Sequence, residues 1–84
     1  MSNLKEIVYV FVGCTKEAFL TRCAANGMNG KSYWDVYANK AVDICMKNLQ
    51  EFAHEKNKDV QDKQGLFAQC ALNAANELFN QIGS

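Results

Sequence analysis

Residues 32–56, SYWDVYANKAVDICMKNLQEFAHEK, decide the fold. Trp34, Ala38, Ala41, Cys45, Leu49 and Phe52 recur at steps of three and four, the spacing that lines one face of a helix. Val42, Met46 and Ala53 widen that face, and Asp35, Asn39, Asp43, Lys47, Gln50 and His54 line the opposite side. Ser32 with Asp35 three residues on resembles a capping box, which satisfies free amides of the first turn. A helix of about 24 residues is roughly 36 Å long. In so short a chain the remaining segments must pack along it.

The segment before it reads as a helix start at Asn3 with Glu6. Leu4, Ile7, Val8, Phe11, Cys14, Ala18 and Phe19 follow at helical spacing. Within it, Ile-Val-Tyr-Val-Phe-Val at 7–12 has strand propensity. A lone strand needs a pairing partner, and no second candidate exists outside a dimer axis. The expectation is a helix buried nearly all round, kinked at Gly13 or close to a neighbouring backbone there, with a short strand as the alternative. Thr15 could instead cap a fresh helix over 16–26. Asn26-Gly-Met-Asn-Gly30 then reads as a helix stop and turn, because glycine and asparagine tolerate positive φ.

A third helix is expected over about 60–82, with Asp59 as its cap and Asp62 in its first turn. Phe67, Ala71, Ala74 and Leu78 make one apolar stripe; Ala68, Leu72, Ala75, Phe79 and Ile82 make a second beside it. The polar side carries the amides Gln69, Asn73, Asn76 and Asn80, and from residue 64 onward Glu77 is the one charged side chain. A helix face turned only to water usually carries more Lys and Glu. The connection over 55–63 holds the densest charge and is expected to be the most solvated part. The fold class that follows is all-α: one helical domain of 84 residues, a small three-helix bundle with a long central helix.

Composition excludes several function classes. A chain of this size buries only about 60% of its unfolded surface, yet with 49% hydrophobic residues it can build a core. Net charge is zero, so no long-range field gathers nucleic acid or an anionic membrane. No apolar run reaches the 18 or so residues of a membrane span. Phe11-Val-Gly-Cys14 resembles a lipoprotein-processing box, but the apolar run before it is short and Lys5 is offset by Glu6. The four cysteines at 14, 23, 45 and 70 lack a close pair, and with one histidine they do not make a zinc pattern. Free, buried thiols in a reducing cytoplasm are the expectation.

Candidate chemistry is thin. The segment 25–32, Ala-Asn-Gly-Met-Asn-Gly-Lys-Ser, fits a relaxed phosphate loop with alanine for its first glycine. Gly30 would offer a backbone amide, Lys31 the neutralising charge and Ser32 a hydroxyl for magnesium. Such a loop follows a buried strand, whereas 17–24 has helical spacing. His54 lies beside Glu51 and Glu55 with no nucleophile set nearby. No catalytic residue, cofactor or metal ligand is expected. Tyr33 and Tyr37, four apart on a stripe beside Trp34, suit either an interface hot spot or the closed end of the bundle. The reading is a non-enzymatic protein–protein interaction module, such as an adaptor, an assembly chaperone or an inhibitor from a mobile element. Its expected partner surface is Gln69, Asn73, Asn76, Phe79 and Asn80 with Tyr33 and Tyr37, and its partners are a second copy, an unknown protein, or both. A phosphate-binding domain and a homodimeric structural protein are the alternatives.

Overall fold

The structure, a computed structural model, describes residues 4–54 and 60–82, with side chains for 5–53 and 64–82. Four helices follow one another: α1 (Leu4–Ala25), α2 (Gly30–Val36), α3 (Ala38–His54) and α4 (Val60–Ile82). The all-α bundle expected from the sequence is what forms. The proposed cap at Asp59, the Asp62 side chain and the charged connection over 55–63 lie outside the described residues.

Residues 7–12 are helical. Each β-branched residue disfavours a helix by a few tenths of a kcal/mol, and burial of a large apolar side chain, at about 1.5–3 kcal/mol, outweighs that. Phe11 is fully buried, and Ile7, Val8 and Val12 pack against the core. This segment is not buried all round, however: Tyr9 is 81% and Val10 52% exposed. α1 packs along α4 on one side and against α2 and α3 on the next, and among the described residues none covers its third side. The helix runs unbroken through Gly13 and Thr15.

α1 ends in a Schellman motif. The Met28 amide donates to the Cys23 carbonyl (2.9 Å) and the Gly27 amide to the Ala24 carbonyl (3.1 Å), with Gly27 at φ +69°. The helix stop read from Asn26-Gly27 therefore forms, and Met28 folds back toward the core.

The central helix starts earlier than its sequence suggests and is divided. Asn29, not Ser32, is the cap, its Oδ1 accepting from the Ser32 amide at 3.4 Å. The reason is Gly30, which is buried against α1 and begins α2 there. At Tyr37 (φ −103°, ψ 20°) the path bends, although the Tyr37 amide still donates to the Tyr33 carbonyl and the Ala41 amide to the Tyr37 carbonyl, both at 2.9 Å. The bend lets Trp34 pack on Phe19 of α1, ring centroids 5.8 Å apart, while Ala41, Ile44, Cys45 and Leu49 of α3 enter the core.

Cross-helix contacts fix the directions. Phe11 meets Phe67 (5.2 Å, edge to face) and Arg22 meets Asn76 (2.7 Å), so α1 and α4 run parallel. Phe52 meets Phe67 (5.4 Å) and Lys47 meets Glu77 (2.7 Å), so α3 runs antiparallel to both. Cys70, Ala71, Ala74, Ala75 and Leu78 of α4 are buried in the core between α1 and α3, and the small size of the first four lets both helices approach closely.

Candidate partner-binding surface

On α4 the amide side chains divide into two groups. Gln69, Asn73 and Asn80 are exposed, and Gln69 Nε2 donates to Asn73 Oδ1 at 2.9 Å, the i, i+4 spacing of one helix face. Asn76 and Phe79 are half-buried and already occupied. Arg22 Nη1 of α1 donates to Asn76 Oδ1, and the Arg22 guanidinium carbon lies 4.5 Å from the Phe79 ring centroid. Glu77, half-buried, accepts from Lys47 Nζ through both oxygens at 2.8 and 2.7 Å. Leu72, 44% exposed, and Ala68 complete the outer side of the helix. The second apolar stripe of the sequence is thus covered at Ala75, Phe79 and Ile82 and open at Ala68 and Leu72.

Tyr33 and Tyr37 are carried by a different helix, α2 and its C-cap. Tyr33 is 36% exposed on α2, Tyr37 is half-buried at its end, and α2 packs on α1 and α3 rather than along α4. Gln69, Leu72, Asn73 and Asn80 are exposed on α4; Tyr33 lies on α2 and Tyr37 is its C-cap.

Segment 25–32 follows a helix, not a strand. Its amides at 26, 27 and 28 donate to carbonyls of α1, and that of Ser32 donates to Asn29. Lys31 and Ser32 are exposed, and Gly30 is buried beneath Leu20 and Cys23.

The thiols also divide. Cys23, Cys45 and Cys70 are buried and Cys14 is exposed, so the expectation of four buried thiols fails at Cys14. It fails because Cys14 adjoins the uncovered side of α1. Burial pushes the Cys23 thiol up. It does the same for Cys45, where the Thr15 hydroxyl exerts a smaller opposite pull. That hydroxyl is itself buried beside the thiol without completing a hydrogen bond of good geometry. Among the described residues no three His, Cys, Asp or Glu side chains converge as metal ligands. His54 closes α3, and its side chain lies outside the described residues.

The apolar run at 7–12 contributes a further surface. Lys5, Glu6, Tyr9 and Val10 line an open, mainly apolar hollow of about 370 Å³ on the outer side of α1. A neighbouring hollow of about 220 Å³ is lined by Glu6, Ile7, Val10 and Phe67. The run at 7–12 signalled apolar surface, but not which side of it lacks a neighbour. Among the described residues no helix is long and apolar enough to cross a membrane. Comparison with known protein families, curated proteins and solved structures yields no match.

Proposed function

We propose that this chain is a non-enzymatic protein–protein interaction module, of adaptor or inhibitor type, that docks a protein partner on the outer side of α4. The observation that carries this reading is the charge-poor surface around Leu72. Leu72 is 44% exposed between Gln69 and Asn73, whose amides bond each other. From residue 64 to 82 the one charged side chain, Glu77, is held by Lys47. An exposed leucine among amides loses little by desolvation, whereas a lysine or glutamate there would resist it. Zero net charge and four free thiols suit a protein working in a reducing cytoplasm.

The test is affinity capture from the native host with two α4 variants, Leu72→Glu and Asn73→Lys, beside an Asn39→Lys control on the exposed side of α3. The reading expects one partner to be retained by the parent and the control and lost with both α4 variants, all three variants keeping parental helicity. Retention of the same partner by the α4 variants would sink it.

A further inference from the structure

The side of α1 that no described residue covers is complementary to itself. Lys5, Tyr9, Gly13 and Glu17 follow one another at i, i+4 steps, so they form a single ridge along the helix, and all four are exposed. Tyr9 stands 81% exposed. One turn on, Gly13 has no side chain, and a Cβ added there would meet nothing within 4 Å. A glycine inside a helix costs about 0.5–1 kcal/mol relative to alanine. Among the described residues no close backbone approach requires a glycine at this position. The ridge therefore reads, in order, cation, knob, hole, anion.

We infer that this ridge is a homodimer interface in which α1 packs antiparallel on α1 of a second copy. A twofold axis midway between residues 9 and 13 seats each Tyr9 ring over the partner's Gly13. It also brings each Lys5 opposite the partner's Glu17. The two rows meet knob to hole, the missing side chain at residue 13 making room for the partner's ring. A twofold contact requires that residue i meet j while j meets i, and this row does so in shape and in charge. Val10, 52% exposed, and the exposed Cys14 flank the ridge and enlarge the apolar contact. With no net charge, two copies do not repel one another. The interface is separate from the α4 surface and leaves that surface free for a different partner.

Sedimentation equilibrium of the full chain tests this, with circular dichroism verifying helicity. The parent is expected to be a dimer whose dissociation constant rises with salt, as the two Lys5–Glu17 pairs are screened. A Cβ at residue 13 meets nothing within 4 Å, so Gly13→Leu should stay helical while filling the hole, and should weaken association about tenfold or more. Tyr9→Ala removes the knob and should act alike. Lys5→Glu and Glu17→Lys should each weaken the dimer, and the double reversal should restore it, since it re-forms each pair with its signs exchanged. A parent that remains a monomer at millimolar concentration would overturn the inference. So would a dimer indifferent to Gly13→Leu, or a double reversal no tighter than either single reversal. Loss of dimerisation with α4 capture intact, or the converse, separates this inference from the proposed function.

Discussion

Gly30 of α2 lies against Leu20 of α1 so closely that a Cβ at Gly30 would come within 2.9 Å of the Leu20 Cδ2 atom. It would also lie 3.0 Å from the Cys23 Cβ and 3.2 Å from the Leu20 Cα. The leucine tip could swing away, but the other two atoms move only with the α1 backbone. Gly30→Ala is therefore expected to lower stability by about 1–3 kcal/mol, the usual cost of overpacking. Urea unfolding followed by circular dichroism measures it, and a parental midpoint would disprove the close contact. Gly65, with nothing within 4 Å of its added Cβ, is the matched control.

Thr15 is 1% exposed and its hydroxyl lacks a well-formed hydrogen bond. A buried unsatisfied polar group costs about 1–3 kcal/mol, whereas an apolar group of the same shape does not. Thr15→Val keeps the β-branch and removes the oxygen. We expect it to raise stability by about 1 kcal/mol. A loss of that size in thermal unfolding would mean that the hydroxyl is satisfied in the native state.

The buried thiols give stability an alkaline limit. Burial holds the Cys23 and Cys45 pKa values above their ordinary value of 9.0. Unfolding frees both to ionise near that ordinary value, while the native thiols stay protonated. The unfolded state then binds fewer protons than the native one, so stability falls as pH rises above it. The thiol contribution is fully present below that point and declines with a limiting slope of about 1.4 kcal/mol per pH unit per thiol. A Cys23→Ala/Cys45→Ala variant, though less stable, should show the shallower decline between pH 8 and 10. An unchanged slope would assign the alkaline loss to other groups. In the same range a small maleimide should modify Cys14 in the native protein long before the other three.

Lys47 and Glu77 join α3 to α4 across the surface, with side chains 56% and 33% exposed. Solvent screens such a pair, so Glu77→Gln should cost less than about 1 kcal/mol. The difference from the parent should shrink as salt is raised toward 1 M, where the screening length is about 3 Å. A larger, salt-independent loss would point to packing by the Glu77 stem instead.

Much of the fold was legible in the sequence because its signals are local. The spacing of Ala41, Cys45, Leu49 and Phe52, and of Ala71, Ala74 and Leu78, reports helical faces directly. Asn26-Gly27 reports a stop because few other residues adopt φ +69° there. The bend at Tyr37 was not legible, since its causes lie on another helix: Phe19 receives Trp34, and Leu20 leaves room only for Gly30. The α4 surface was legible as a charge-poor stretch. Its division was not, because Arg22, 54 residues away from Asn76, decides which amides are occupied. Tyr9 and Val10 were misjudged for the converse reason. An apolar run names the residues that prefer burial, and only the arrangement of α2, α3 and α4 determines which of them obtain it.

The parallel pairing of α1 with α4 sets the timetable of synthesis. Phe11 finds its ring partner in Phe67, so most of the chain must leave the ribosome before α1 gains its principal neighbour. Until then α1 has only α2 and α3 to lean on, and Phe11 and the flanking valines stay open to solvent and to other nascent chains. Contacts so distant in sequence slow folding and prolong exposure to aggregation. Messages truncated before α4 should therefore yield chains that chaperones bind or proteases clear, rather than a smaller folded protein.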